Sequence, residues 1–177
     1  MIYGMILLMI LGAAALVGIS SYYVAQHRRE KERKQCYEAA ERLIQEEYLN
    51  YSIHNYRNHP VAPPARKKIM LYLREETNKK NGYVFDPLHI IRIGRSRDEN
   101  DICIQEASVS GNHCRIYQDK TQIVLQDFGS SNGTLVKRGC KKRWLCGKAI
   151  YLQDGDKVCV GKTCFKISMF CYDQKYM

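Results

Sequence analysis

Arg95, Ser110, Ser131 and Asn132 stand in three short polar stretches with apolar runs between them. The first stretch is Ile93-Gly94-Arg95-Ser96, the second Ser110-Gly111-Asn112-His113, and the third runs from Asp127 through Phe128-Gly129-Ser130-Ser131-Asn132-Gly133 to Thr134. Together they offer a guanidinium fork, hydroxyls, a carboxamide and the backbone N–H groups of glycine-containing turns. That donor set suits a phosphate dianion. Ser110 and His113 also invite a nucleophile–base reading. No G-x-S-x-G elbow, placed acid or paired metal ligands accompany them, so the chain is read as a binding protein, not an enzyme, with no cofactor and no metal.

Groups so far apart in sequence converge only if rigid elements carry them. Ile102-Cys103-Ile104, Arg115-Ile116-Tyr117 and Ile123-Val124-Leu125 have the alternation or β-branched content of strands. The glycines and Ser-Asn pairs fall between these runs, where turns need positive φ or local capping. Further strands are expected at Ile69 to Arg74, Tyr83 to Phe85, His89 to Gly94, Thr134 to Lys137, Lys148 to Leu152, Lys157 to Val160 and Thr163 to Phe170. Lys137 to Arg143 reads as a basic hairpin or loop, and Trp144 as a packed aromatic. All the polar stretches then sit at one end of a β-sandwich.

Gly94-Arg95, Ser110-x-x-His113, Ser131-Asn132-Gly133-Thr134 and Leu152-x-x-Gly155-Asp156-x-x-x-x-Gly161, in that order, resemble a forkhead-associated (FHA) domain over roughly Ile69 to Phe170. The resemblance implies an all-β, eleven-stranded sandwich that binds phosphothreonine peptides. It implies binding roles for Arg95, Ser110, Ser131 and Asn132, with Gly111 in the same loop. Gly94, His113, Asp127 and Gly133 would support the site. Gly111 departs from many members, which carry a longer polar or basic residue after the serine.

Upstream, residues 1–25 contain no charge and are long enough for a transmembrane helix across a hydrocarbon core of about 30 Å. Tyr22 and Tyr23 suit the interfacial belt, and His27 to Lys34 is basic, which places the C-terminal side in the cytoplasm and the N-terminus outside. The basic residues would also favour anionic lipid. Residues 26–56 read as a juxtamembrane helix with a stripe of Cys36, Ala40, Leu43 and Glu47, beside Tyr37, Ile44, Tyr48 and Tyr51. Residues 57–68 form a Pro-containing linker, 69–171 the FHA domain and 172–177 a tail.

The net charge is +10, and from Arg66 onward 21 basic residues face 12 acidic ones. Such a balance attracts anions but does not choose among them. No stacked-aromatic or recognition-helix pattern points to nucleic acid. The eight cysteines contain no C-x-x-C pair and lie mostly in apolar strand patterns, so they read as core thiols.

The resulting expectation is a single-pass, membrane-anchored adaptor of the signal-transduction type. It would recruit threonine-phosphorylated proteins made by a Ser/Thr kinase, as the resemblance to bacterial FHA adaptors implies. The alternative is a phospho-independent scaffolding module that self-associates or binds a folded membrane partner.

Overall fold

The computed structural model describes residues 2–55, 67–78 and 81–173. Most of the proline-containing linker lies outside these, as do residues 174–177. The segments expected to cross and adjoin a membrane form one helix, α1 (Ile2–Asn55). The chain divides into two compact units between Ala39 and Ala40, so the last part of α1 belongs to the same unit as the sandwich.

Eleven strands follow among the described residues: β1 (Lys67–Glu75), β2 (Gly82–Phe85), β3 (Ile91–Gly94), β4 (Ile102–Cys103), β5 (Cys114–Asp119), β6 (Gln122–Asp127), β7 (Thr134–Arg138), β8 (Lys141–Leu145), β9 (Ala149–Tyr151), β10 (Lys157–Val160) and β11 (Thr163–Asp173). They build a six-stranded sheet, β2-β1-β11-β10-β7-β8, and a five-stranded sheet, β4-β3-β5-β6-β9. All pairings are antiparallel except β3 with β4.

Period-2 alternation explains the layering. Leu71 and Leu73 of β1, Val158 and Val160 of β10, and Phe165 and Ile167 of β11 point inward from one sheet. Ile91, Ile93, Ile116, Ile123 and Leu125 meet them from the other. Burying each such side chain contributes about 1.5–3 kcal/mol. The polar loops are left at the ends, where the backbone reverses.

Three expectations change. Trp144 is not in the core but 66% exposed, with one edge of its ring beside the Gly133 loop. It lies on β8, a sheet-edge strand whose first four residues are all exposed. Cys159 and Cys164 are not separate core thiols but form a disulfide. They face each other across β10 and β11, joined by the Gly161-Lys162 turn. Of the other six cysteines, only Cys36 and Cys114 are buried thiols as expected; Cys103 is half-buried, and Cys140, Cys146 and Cys171 are exposed because they lie in turns or at strand ends. Finally, β1 starts at Lys67, inside the expected linker.

Met70, Lys68 and Tyr72 share the outward face of β1, yet Met70 is fully buried and Lys68 is 5% exposed. Ile44 and Leu43 of α1 line a groove with Met70, Phe85 and Ile91. Within the expected helical stripe, Ala40 and Ile44 are buried, and Leu43 and Tyr37 are exposed. Lys68 Nζ donates to Glu47 Oε2 at 2.5 Å and Asp86 Oδ2 at 2.8 Å. Burial opposes the charge on Lys68, but these two carboxylates outweigh it and hold the ammonium pKa above its usual value. Lys68 thus fastens the end of α1 to the first strand and to the β2–β3 turn.

Lys68→Ala leaves Asp86, whose side chain is 11% exposed, without its cation. Its expected cost is about 3 kcal/mol, the low end for a broken buried pair because Glu47 reaches solvent. Denaturant unfolding of the full chain measures it.

Candidate functional site

Arg95 emerges directly from the end of β3. A Cβ on Gly94 would lie 2.1 Å from the Gly111 carbonyl oxygen, so only glycine lets these two backbones approach so closely. Arg95 N–H then donates to Ser110 O at 2.9 Å, and Ser96 N–H to Gly111 O at 3.1 Å. Asn100 Nδ2 donates to Ser96 O at 2.7 Å and Gly111 O at 2.8 Å, which closes the same junction. The Arg95 side chain is exposed and takes no carboxylate partner among the described residues.

Ser110 sits in the β4–β5 loop. Its N–H donates to His113 Nδ1 at 3.1 Å, and the buried imidazole reaches Gly133 O at 3.2 Å through Nε2. These partners place the ring proton on Nε2 and make His113 a bridge between two loops. The nitrogen nearest Ser110 is occupied by a backbone N–H, so the pair does not have the geometry of a nucleophile and its base. The Ser110 hydroxyl instead accepts from Ser131 N–H at 3.2 Å, which leaves its own proton free to donate outward.

The β6–β7 loop is organised by Asp127, which is 1% exposed. Its Oδ1 accepts from the N–H groups of Gly129 at 2.9 Å, Ser130 at 3.0 Å and Gly147 at 2.9 Å. Its Oδ2 accepts from the hydroxyls of Ser130 and Thr134, each at 2.6 Å. Burial pushes the carboxyl pKa up, but these five donors overcome it and hold it below the usual aspartate value. Gly133 has φ of 71°, and a Cβ there would lie 2.8 Å from Leu145 O. Beyond this frame Ser131 and Asn132 are exposed, and Asn132 Nδ2 donates to Ser108 O at 2.8 Å.

Arg95, Ser110, Gly111, Ser131 and Asn132 therefore occupy three loops tied to one another by hydrogen bonds. Nothing lies within 4 Å of a Cβ built on Gly111, so packing does not demand glycine there. A groove of about 540 Å³ lined by Arg92, Asp98, Glu99, Asn100, Asn112 and Phe128 runs alongside.

Glu106 is a supporting residue absent from the sequence reading. Its carboxylate accepts from Thr163 Oγ1 at 2.7 Å, Lys162 N–H at 2.9 Å and Ser108 Oγ at 3.3 Å. The Thr163 hydroxyl is the main cause of its lowered pKa. Glu106 braces the Ser108–Ser110 segment against the β10–β11 turn. Its partners in that turn lie more than fifty residues downstream, and no local pattern announces them. Asn100, Ser130 and Thr134 are further supporting residues outside the expected set: Asn100 bonds Ser96 and Gly111, and Ser130 and Thr134 bond Asp127 three and seven residues away within their own loop.

Comparison with known proteins agrees with this architecture. Residues 91–161 match the FHA domain family model, and FHA domains are phosphothreonine-peptide-binding modules. An FHA domain-containing protein of Arabidopsis thaliana is 37% identical over 78 residues, which is 44% of this chain and 19% of that protein. The chain thus spans about a fifth of the length of that curated relative. The FHA domain of a Chlamydia trachomatis protein superposes with a TM-score of 0.50 at 21% identity, covering 57% of this chain and 98% of that one. EmbR of Mycobacterium tuberculosis, solved with a low-affinity phosphopeptide, gives 0.49 at 28% identity over 66% of this chain and 28% of its own. The chain carries an FHA domain.

A carboxyl whose pKa is depressed in the fold stabilises it above the unfolded value, about pH 4 for aspartate, and loses that contribution as pH falls through the folded value. Asp127→Asn is therefore expected to cost about 3 kcal/mol at neutral pH, since charged hydrogen bonds are replaced by weaker ones and one acceptor oxygen is lost. The gap between wild type and variant should narrow on acidification. Urea unfolding across a pH series measures both.

Proposed function

We propose that this chain is a membrane-anchored phosphothreonine reader. The observation that carries the reading is the convergence of an unpaired, exposed Arg95 with Ser110, Ser131 and Asn132 on braced loops. Phosphothreonine brings nearly two negative charges and three acceptor oxygens at neutral pH. Arg95 supplies charge-assisted, bidentate donors, and the outward proton of Ser110 and the hydroxyl of Ser131 add to them. Asn132 keeps its Oδ1 for a peptide N–H, because its amide nitrogen is engaged with Ser108. Each charged hydrogen bond contributes about 1.5–3 kcal/mol, so two or three supply much of the roughly 8 kcal/mol of a micromolar complex.

The anchoring half of the proposal is supported by α1. It contains a stretch long and apolar enough to cross a membrane, and none of its most apolar window is buried in the protein. The basic residues after that stretch favour a cytoplasmic domain. Tethering raises local concentration, so micromolar affinity suffices to recruit a phosphoprotein to the membrane.

Titration of the full chain with matched phosphothreonine, phosphoserine and unphosphorylated peptides tests the reader. The expected order is phosphothreonine, then phosphoserine, then no measurable binding. Arg95→Ala should weaken phosphopeptide binding by about a hundredfold or more, as loss of two charged hydrogen bonds requires, with the unfolding midpoint unchanged. Unchanged affinity in that variant would exclude the reading. Gly111→Lys, which the open space at this position accommodates, should fold normally and tighten phosphopeptide binding several-fold by adding a cation beside the site.

A further inference from the structure

We propose that the outer face of the six-stranded sheet is a second binding surface, one that docks on an anionic lipid bilayer. The inference builds on the membrane-anchored reading above. Its basis is the strand register. Lys142 on β8 pairs with Lys137 on β7, Lys137 with Lys157 on β10, Lys157 with Lys166 on β11, and Lys166 with Arg74 on β1. Directly paired residues project from the same face. Five basic side chains therefore form one unbroken row across five strands, roughly 19 Å long at about 4.8 Å per strand.

Such a row is unfavourable within the fold, because like charges directly opposite each other destabilise a sheet. Internal pairing relieves only part of it. Glu76 lies 2.6 Å from Lys157. Lys137, Lys142 and Lys166 have no carboxylate partner among the described residues. The row is complementary to an extended anionic surface.

Three features choose lipid as that surface. Trp144 flanks Lys142 on the same side of β8 and is 66% exposed, the combination of aromatic and basic side chains that favours a membrane interface. The face is a sheet and so presents its charges in one layer. At its other end, Lys68 and Met70 of β1 are covered, with Glu47 bonded to Lys68. The last turns of α1 thus lie on the face that carries the row, and the membrane-length stretch precedes them in the chain. Trp144 also lies next to the phosphate loops: its ring is 3.5 Å from a Cβ built on Gly133. Docking would hold the reader's loops beside the lipid headgroups.

Trp144 is the only tryptophan in the chain and reports docking directly. The full chain is reconstituted in phosphatidylcholine vesicles with and without phosphatidylserine, some carrying brominated acyl chains. Docking predicts blue-shifted Trp144 emission and bromine quenching only with phosphatidylserine, reversed by high salt. The triple variant Lys137→Gln/Lys142→Gln/Lys166→Gln should lose both signals, with its unfolding midpoint equal to or above wild type. Emission indifferent to lipid charge, or unmoved by lipid but shifted by single-stranded RNA, overturns the proposal. Flotation with neutral vesicles tests the anchor separately. If the chain does not float with them, anchoring fails, and docking stands on partition to phosphatidylserine vesicles, expected to weaken about fivefold per neutralised lysine. Partition independent of those lysines overturns docking by itself.

Discussion

The buried carboxylate of Asp127 is the constraint on which the site depends. It gathers three backbone N–H groups and two hydroxyls from residues 129–147, and the donors of buried Ser130 and Thr134 would be unsatisfied without it. With the loop so pinned, Gly133 presents its carbonyl to His113, and His113 in turn fixes the N–H of Ser110. A single acceptor thus sets the geometry of one loop, and a neutral imidazole passes it to the next. The residues that would meet phosphate stand on this frame and add their own ties between loops, Arg95 N–H to Ser110 O, Ser131 N–H to Ser110 Oγ and Asn132 Nδ2 to Ser108 O. They lie at the surface, and the framework beneath them is buried.

The outer face of the six-stranded sheet shows what alternation does at larger scale. Inward positions share one apolar core, so their chemistry is uniform. Outward positions have no shared demand and diverge along the sheet. One end is covered around Lys68 and Met70, the middle holds a row of cations, and the next row contains the Cys159–Cys164 disulfide and Trp144. The binding loops at the sandwich end adjoin this face through Gly133 and Trp144.

Much of the fold was legible in the sequence because its strands alternate cleanly and its loops carry glycine with Ser, Asn or Asp. The candidate site was legible for the same reason, since Arg95, Ser110, Ser131 and Asn132 lie at strand ends or in the loops between strands. What escaped was information held in register. Cys159 and Cys164 bracket a turn at Gly161-Lys162, and that turn sets them opposite each other; apolar neighbours alone suggest core thiols. Trp144 and the lysines at 137, 142, 157 and 166 acquire meaning only when the strand order places them on one outward face. Glu106 depends on partners brought from the far hairpin. Apolar periodicity identifies which side of a strand is inside, but not what the outside meets.

The loops carry a kinetic consequence. Arg95 N–H, Ser110 N–H and Oγ, and the Asn132 amide are all held by protein partners before any peptide arrives. Little ordering remains to be done on encounter, so association need not wait for a conformational change. Under the proposed reading, related phosphopeptides would then be captured at similar rates and differ mainly in how long they stay. Discrimination among them would be a matter of dwell time.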